Sequence, residues 1–408
     1  MSQATDLLGA KSASQKSAPY VRLVGVVSAA HFVSHYYILL LAPLLPFVRA
    51  EYAVSYTEIG LALAVFNIVS AALQTPAGFL VDWLGARILL VVGLIIGASA
   101  FVIAGLFDSF WLMVAMFALA GVGNTVYHPA DYALLSHHVP ADRIGQAFSI
   151  HTFAGMLGSA VAPASLLLMQ NVWGWRGAFI GAGILGFAVA AILLAVRDNN
   201  AVPVPATPPR TTSDKSPVGW RLLLSAPILL NLMFFALLAL MSGGMYNYSV
   251  VALGALYDTP VSTANVALST HLLLAAIGVL VGGLAATYTT RHALVAASGL
   301  GAIALFTVLI AMVDLGFLPL IAVMTVCGFF YGVIMPSRDM IVRDVTPPGS
   351  FGKVFGFVTT GFNIGGIVSP LLFGAIMDHG SPRLVFLLVA AFSLIAIVMV
   401  ATLPRRKA

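Results

Sequence analysis

The sequence contains very little charge. Asp, Glu, Lys and Arg make up only 8% of its 408 residues, while 60% are hydrophobic. Soluble globular domains carry about 25% charged residues, so a water-soluble protein is excluded. The basic residues stand singly or in pairs between apolar runs and form no basic face, which excludes a nucleic-acid-binding protein despite the formal charge of +5. The chain is therefore expected to lie in a lipid bilayer.

Cysteine and catalytic motifs are equally scarce. Cys327 is the single cysteine, so no intramolecular disulfide can form. The chain has no Walker-type nucleotide-binding loop, no His-Glu-x-x-His and no Gly-x-Ser-x-Gly. Any work done across the membrane must therefore draw on an ion or solute gradient. We predict a protein that is not an enzyme, with no catalytic residue, no cofactor and no resident metal ion.

Apolar runs fill most of the chain. A helix that crosses the hydrocarbon layer needs about 20 apolar residues. Twelve such runs occur, at 22–48, 57–81, 88–107, 110–134, 144–170, 176–196, 221–253, 262–288, 292–313, 317–341, 352–377 and 383–403. We predict an all-α polytopic membrane protein with a disordered cytoplasmic tail over 1–20, a six-helix bundle over 21–197, a polar Pro-rich cytoplasmic linker over 198–219, a second six-helix bundle over 220–404 and a basic cytoplasmic tail over 405–408.

The basic residues predict which side of the membrane each loop occupies. With the N-terminus in the cytoplasm, 15 of the 19 Lys and Arg lie on or near the inner face. Cytoplasmic loops carry an excess of Lys and Arg. Both termini are therefore predicted to be cytoplasmic, in a multi-pass protein of a bacterial inner membrane.

One long stretch of the chain occurs twice. Residues 121–163 align without a gap on residues 328–370, and ten positions are identical. Most of these are Gly and Pro, such as Gly121 with Gly328 and Gly158 with Gly365, and these residue types control kinks and close helix approach. The chain is therefore a tandem duplication of one membrane unit.

The loop between the second and third runs carries a family signature. Residues 78–87 read Gly-Phe-Leu-Val-Asp-Trp-Leu-Gly-Ala-Arg, which resembles the loop signature of the major facilitator superfamily. The resemblance implies two pseudo-symmetric six-helix bundles that rock about a central cavity, lined mainly by helices 1, 4, 7 and 10, usually in a monomer. It also implies a conformational latch of Gly78, Asp82, Gly85 and Arg87, in which the acid holds the halves together in the outward-open state.

Two further comparisons with the superfamily bear on the direction of transport. Its proton-coupled drug exporters usually carry an Arg four residues before the glycine that corresponds to Gly121, and a Gly-Pro-x-x-Gly-Gly pattern in helix 5. Here the first position is Phe117, and helix 5 reads Gly155-Met-Leu-Gly158, which favours uptake. In helix 4, Tyr127-His128-Pro129 is similar to the fosmidomycin-resistance branch, whose members are exporters.

Ionisable side chains inside a membrane are costly and mark functional sites. His31 and His35 lie four residues apart on one helix face, where they can relay protons or bind an anion. Asp131 and Arg338 occupy equivalent positions in the two repeats. They can pair in one conformation only, as a gate or proton switch, or stabilise one state as a solvated interfacial pair.

Tyrosines and amides on the same helices complete the predicted site. Tyrosine offers a flat face and one hydroxyl, which suits a planar polar solute. The predicted substrate-binding residues are His31, His35, Tyr36, Asn124, Tyr127, His128, Tyr246, Asn247, Tyr331 and Arg338. The predicted proton-coupling or gating residues are His35, Asp131 and Asp339. His151 and His271 stand alone among apolar residues and are interpreted as structural.

The main functional prediction is secondary active transport by alternating access. It would be proton-coupled uptake of a small polar organic solute, either a planar heteroaromatic metabolite such as a vitamin or an organic anion. The partners would be that solute, a proton or other coupling ion, and the lipid bilayer. Two alternatives stay open. One is an efflux pump for drugs or metabolites, and the other is a transition-metal transporter, because His31, His35, His128 and Asp131 are suitable ligands.

Overall fold

The structure is a computed structural model that describes residues 2–140, 143–196, 220–347 and 351–402, without the side chains of residues 2–19, 82, 145, 220, 287 and 351–353. Within these ranges the chain forms helices and short turns and no strand, as the sequence predicts. The linker predicted over 198–219 and the basic tail predicted over 405–408 lie outside the described residues. In the structure the first helix begins at Ser2, whereas the sequence predicts a disordered tail over 1–20. The cytoplasmic position of both termini stays a prediction.

The helices are long and closely spaced, which leaves few residues for loops. In chain order they are Ser2–Ile38, the 3₁₀ turn Ala42–Leu44, Leu45–Tyr52, Tyr56–Leu84, Ala86–Leu106, Phe110–Asn124, Tyr127–His138, Ile144–Ala195, Trp220–Leu223, Ala226–Gly243, the π-helical turn Gly244–Tyr248, Ser249–Tyr257, Val261–Tyr288, His292–Met312, Phe317–Val345, Phe351–Asp378 and Arg383–Thr402.

Eleven stretches of the described residues are long and apolar enough to cross a membrane. They are Tyr20–Tyr52, Tyr56–Val81, Ala86–Leu106, Phe110–His138, Gln146–Ala195, Ala226–Tyr257, Val261–Ala286, His292–Met312, Phe317–Val345, Val354–Asp378 and Arg383–Thr402. The fifth has 50 residues, about 75 Å of helix, and its backbone is non-helical at Gly174 (φ 72°, ψ 170°). It therefore crosses twice, which accounts for the twelve predicted crossings. We number them segments 1 to 12, segments 5 and 6 being the parts before and after Gly174.

The two halves are built in a similar way. In the first half, segment 1 packs on the helix that carries segments 5 and 6, and segment 3 packs on that helix and on segment 4. In the second half, segment 7 packs on segment 11, segment 8 on segment 10, and segment 9 on segment 12. The halves meet where segment 2 packs on segment 11, and where segment 8 packs on the helix of segments 5 and 6. These contacts define the seam between the halves.

The duplicated glycines lie at close helix contacts. A Cβ atom on Gly158 in segment 5 would overlap the carbonyl oxygen of Phe32 in segment 1. Its repeat copy, Gly365 in segment 11, would overlap the carbonyl oxygen of Ala236 in segment 7. Only glycine leaves room for backbones to approach this closely. The repeat therefore preserves the same helix contact in both halves.

One end of the seam is joined by a carboxylate. Asp378, at the end of segment 11, accepts hydrogen bonds from the backbone N–H groups of Tyr56 (2.7 Å) and Thr57 (2.8 Å) and from Thr57 Oγ1 (2.6 Å). The first N–H groups of a helix have no partner within it, and Ser55 and Glu58 form a capping box at the same helix start. Asp378 therefore caps a helix of the other half. We call this the Asp378 end of the seam.

A stretch of segment 2 near its opposite end is exposed on every side. Residues 72–76 are all exposed, and five successive residues complete more than one helical turn, so no face of this stretch is packed. The predicted topology places it towards the cytoplasm. The halves are therefore joined at the Asp378 end, while segment 2 stands free of the other half at the far end.

Asp378→Ala is expected to favour opening of the Asp378 end. Loss of a helix cap costs about 0.5–2 kcal/mol, which would change the ratio of the two states by about 2–30-fold. Val172 and Val313 are exposed positions in different halves. The distance between spin labels at these two positions, in a variant without Cys327, measures the opening of the Asp378 end. Asp378→Asn keeps one acceptor oxygen and should have the smaller effect. Identical distance distributions for Asp378→Ala and the unmodified protein would contradict this expectation.

Candidate functional site

A cavity of about 330 Å³ lies on the seam between the halves. Segments 1, 2, 4 and 5 of the first half and segments 7 and 11 of the second supply its walls. The lining residues are His35, Tyr37, Ile38, Leu39, Leu63, Phe66, Asn67, Phe117, Ser159, Ala239, Ser242, Gly243, Tyr246, Asn247, Phe362, Gly366, Ser369 and Pro370. The volume is within the range of small-molecule sites. This central cavity is therefore the candidate substrate site.

The backbone of segment 7 brings two of the predicted residues to the central cavity. Its helix widens into a π-helical turn over Gly244–Tyr248, and such turns are frequent at functional sites. Tyr246 and Asn247 lie on this turn and line the cavity. The Oδ1 atom of Asn247 is buried without a hydrogen-bond partner. It can therefore accept a hydrogen bond from a solute.

Segment 10 supplies none of these lining residues, which differs from the expectation that helix 10 would be a main wall. Its Tyr331 lies behind Tyr246, with the ring centroids 5.8 Å apart, and its hydroxyl donates to the carbonyl oxygen of Leu238 at 3.4 Å. Segment 7 stands between segment 10 and the cavity at this point. Tyr331 therefore supports Tyr246 from behind.

The lining combines neutral polar groups with aromatic faces. Among the described residues, none that lines the central cavity is Asp, Glu, Lys or Arg. The hydrogen-bonding side chains are His35, Asn67, Ser159, Ser242, Tyr246, Asn247 and Ser369, and the flat apolar faces are those of Tyr37, Phe66, Phe117 and Phe362. The cavity can therefore hold a ring between aromatic side chains and bond its polar edge, without a fixed countercharge.

Four histidines and one aspartate meet beside the central cavity. We call His31, His35, His128, Asp131 and His151 the histidine cluster. The ring of His31 stacks on that of His151, with centroids 3.9 Å apart, and lies 4.6 Å from that of His35 and 5.3 Å from that of His128. Asp131 is fully buried, and its Oδ2 lies 3.5 Å from His31 Nδ1 and 3.6 Å from His151 Nε2. Because His35 also lines the cavity, the cluster adjoins the substrate site.

Asp131 and Arg338 are not paired with each other. Arg338 forms an ion pair with its neighbour Asp339, with Nη2 and Oδ1 2.8 Å apart. Its guanidinium also lies over the rings of Phe235 (4.6 Å) and Phe362 (5.1 Å). Each member of the predicted gate therefore has its partners in its own half. Pairing of the two in another conformation stays a prediction.

Five of the predicted substrate-binding residues lie within the first half and do not line the central cavity. His31 and His128 belong to the histidine cluster, and the other three have partners or surroundings elsewhere in that half. The hydroxyl of Tyr36 lies 2.8 Å from Ser165 Oγ. Asn124 Nδ2 donates to Ser70 Oγ at 2.8 Å. Tyr127 is buried, and its hydroxyl has no hydrogen-bond partner. A binding role for these three residues stays a prediction.

The predicted latch spans the end of segment 2 and the start of segment 3. Gly85 has a φ of 94°, which favours glycine. Arg87 donates to the carbonyl oxygens of Leu193 (2.7 Å) and Val196, and so caps the end of segment 6. The side chain of Asp82 lies outside the described residues. A Cβ atom on Gly78 would meet nothing within 4 Å, so no close helix approach occurs there. The latch itself stays a prediction.

Small polar residues are the part of the site that the sequence reasoning missed. Asn67, Ser159, Ser242 and Ser369 line the central cavity, and His151 belongs to the histidine cluster, although it was interpreted as structural. A signal was present for two of the serines, since Ser159 follows Gly158 and Ser242 precedes a Gly-Gly pair. For Asn67 and His151 the surrounding sequence gives no such sign.

Comparison with known proteins decides the family. A family model described as the Major Facilitator Superfamily matches residues 27–259 and 232–408. The chain belongs to the Major Facilitator Superfamily. This protein is therefore a transporter and not an enzyme. Its membrane crossings and its bacterial relatives make it a multi-pass bacterial membrane protein.

The relatives of this protein differ in how much of its chain aligns with theirs. The fosmidomycin resistance protein of Escherichia coli strain K12 is 24% identical over 404 residues, or 98% of this chain and 97% of the relative. The Probable L-galactonate transporter of the same strain is 31% identical over 143 residues, or 35% of this chain and 32% of the relative. Among solved structures, the nucleoside transporter NupG is similar with a TM-score of 0.77 at 15% identity, covering 93% of this chain and 99% of that chain. The protein thus has the complete fold of the superfamily.

Proposed function

We propose that this protein is a proton-coupled secondary transporter of a small, planar, polar organic solute, which it binds in the central cavity. The observation that carries the proposal is the cavity itself, which is bounded by both halves and lined by neutral hydrogen-bonding groups and aromatic faces. A site between two halves is exposed to each side in turn when the halves rock. Because the sequence has no nucleotide-binding loop, the cycle must draw on an ion or solute gradient, and we propose that a proton gradient drives it.

The lining favours a neutral solute over a charged one. A charged group that leaves water needs a countercharge or strong hydrogen bonds, and no Asp, Glu, Lys or Arg lines the cavity. A heteroaromatic ring with polar edges can be stacked by Phe66 and Phe362 and bonded by Asn247. An organic anion is the second candidate, supported by the partial similarity to the Probable L-galactonate transporter. It would depend on His35 for its countercharge.

One observation favours uptake as the direction of transport, and another favours export. Phe117 and the missing Gly-Pro-x-x-Gly-Gly pattern favour uptake. The similarity to the fosmidomycin resistance protein, which covers 98% of this chain, favours export. The second observation is an alignment over nearly the whole chain, whereas the first concerns only a few positions. We therefore propose export in exchange for protons, with uptake as the second candidate.

A thermal-shift screen of the purified protein identifies the solute. A ligand that binds the folded state raises the melting temperature, and the screen should include neutral heterocycles, organic acids and divalent metals. We expect the largest shifts from neutral planar heterocycles. If organic acids alone raise the melting temperature, the neutral-solute proposal is wrong and the organic-anion candidate replaces it.

Everted membrane vesicles decide the direction and the coupling for the solute found in that screen. Respiration acidifies the lumen of such vesicles, so exchange for protons should accumulate the solute inside, and an uncoupler should abolish the accumulation. Exclusion of the solute would show that uptake is the correct direction. Accumulation that survives the uncoupler would refute proton coupling.

A further inference from the structure

We infer that His31, Asp131 and His151 form a binding site for a divalent transition-metal ion such as Zn²⁺, held within the first half of the protein. One ligand atom from each of the three residues lies within 4.8 Å of the others. The inference goes beyond the proposed function and does not depend on it. It also departs from the sequence prediction that the protein has no resident metal ion.

Two of the three separations between ligand atoms suit metal coordination better than hydrogen bonding. Asp131 Oδ2 lies 3.5 Å from His31 Nδ1 and 3.6 Å from His151 Nε2, whereas hydrogen bonds between N–H and O span about 2.7–3.2 Å. Zinc binds His nitrogen and carboxylate oxygen at about 2.0–2.2 Å in tetrahedral geometry, which places neighbouring ligand atoms about 3.3–3.6 Å apart. The two separations therefore match edges of a zinc tetrahedron.

Five of the six side-chain polar atoms of these residues are buried without a hydrogen-bond partner. Asp131, His151 and His31 are 0%, 1% and 4% exposed. Both oxygens of Asp131, both ring nitrogens of His151 and Nδ1 of His31 are buried without a hydrogen-bond partner. A buried carboxylate with no compensating contact is strongly destabilising. A divalent cation between the rings and the carboxylate would give each of the three side chains a partner for one polar atom.

The ligand types narrow the class of ion. Two imidazoles and one carboxylate suit zinc and the neighbouring transition metals, whereas Ca²⁺ and Mg²⁺ prefer oxygen ligands alone. Three protein ligands leave a fourth position for water or another group. The rings of His35 and His128 also lie beside that of His31, with centroids 4.6 Å and 5.3 Å away.

The origin of the ligands indicates that the ion is resident and is not cargo. Segments 1, 4 and 5 supply them, and all three segments belong to the first half. Cargo in this architecture binds between the halves, where the central cavity lies. An ion held by one half alone stays in place while the halves rock. It would join three segments of that half and stabilise it.

Co²⁺ substitution provides a direct measurement on the full-length protein. The protein is purified without a polyhistidine tag, treated with chelator and titrated with Co²⁺, whose visible absorption is strong in four-coordinate sites. We expect one Co²⁺ per chain, displacement of the absorption by Zn²⁺, and a rise in melting temperature with either ion. His31→Ala, Asp131→Asn and His151→Ala should each abolish the absorption.

His271→Ala is the matched control. His271 is also buried, at 1% exposure, but it lies in the second half and its Nδ1 is 3.0 Å from the carbonyl oxygen of Met324. We expect this variant to keep the Co²⁺ absorption. Absence of the absorption in the folded unmodified protein would overturn the inference and indicate that protons alone neutralise the cluster. Absorption that persists in His31→Ala and Asp131→Asn would also overturn it, because the metal would then bind elsewhere.

A second variant tests the geometry while keeping every ligand. A Cβ atom on Gly155 would overlap the ring of His31 and crowd that of His35, so Gly155→Ala should displace the His31 ring. We expect Co²⁺ affinity to fall about 10-fold or more, as for other supporting residues of metal sites. Gly356→Ala, at a position where a Cβ atom meets nothing within 4 Å, should leave the affinity unchanged. Equal affinities in the two variants would contradict the assigned geometry. Because the readout is metal binding, it is independent of whether the transport proposal succeeds.

Discussion

Ser242→Phe is expected to abolish transport by filling the central cavity. Ser242 lines a cavity of about 330 Å³, which is near the lower limit for small-molecule sites. A phenyl ring at this position would occupy the space that a planar solute needs at the seam between the two halves. We expect the affinity for the solute to fall about 100-fold or more, which corresponds to about 2.8 kcal/mol. The measurements are the thermal shift caused by the solute and its transport in vesicles.

Ser242→Ala separates the loss of space from the loss of the hydroxyl. The Ser242 hydroxyl donates to the carbonyl oxygen of Ala239 within its own helix, at 3.0 Å, so its removal should change solute binding only slightly. Both variants should keep the melting temperature of the ligand-free protein close to that of the unmodified protein. Transport by Ser242→Phe at the unmodified rate would show that the solute passes elsewhere and that the central cavity is not the substrate site.

Gly365→Val is expected to destabilise the second half. A side chain at this position would meet the carbonyl oxygen of Ala236 and the amide nitrogen of Leu240. These are backbone atoms of segment 7, so the clash can be relieved only by moving the whole helix. Overpacking of this kind costs about 1–3 kcal/mol, and we expect the upper part of that range. The measurements are the melting temperature in detergent and the fraction of protein that elutes as a single species.

Gly356→Val is the control on the same helix. A Cβ atom on Gly356 would meet nothing within 4 Å, and valine is a better helix former than glycine, so this variant should melt at or slightly above the temperature of the unmodified protein. Similar melting temperatures for Gly356→Val and Gly365→Val would mean that segments 7 and 11 tolerate separation. The repeated glycines would then need a different explanation.

The crossings and the duplication could be predicted because they depend on local properties of the chain. In lipid every backbone polar group must be satisfied within its own helix, so a run of about 20 apolar residues is sufficient to indicate a crossing. All twelve predicted runs correspond to segments of the structure. The repeated Gly158 and Gly365 also marked real helix contacts, because the need for a missing side chain is visible in the sequence itself.

The composition of the site could be predicted only in part. His35, Tyr246 and Asn247 were predicted and line the central cavity. Asn67 was missed, because a single amide in an apolar run does not reveal which neighbour it faces. His151 was missed for the same reason: it lies 120 positions from His31 in the sequence, yet the two rings are stacked with centroids 3.9 Å apart.

The sequence by itself determined that this protein is a duplicated bundle of twelve membrane helices, and its loop signature indicated the superfamily. The tertiary structure decided which helix faces meet, and with them the central cavity, the histidine cluster and the bond of Asp378 to the other half. The physical reason is the solvent. Lipid tails are as apolar as a protein interior, so hydrophobic periodicity does not distinguish a buried helix face from a lipid-facing one. The rotation of each helix, and therefore the site, follows from packing between distant parts of the chain.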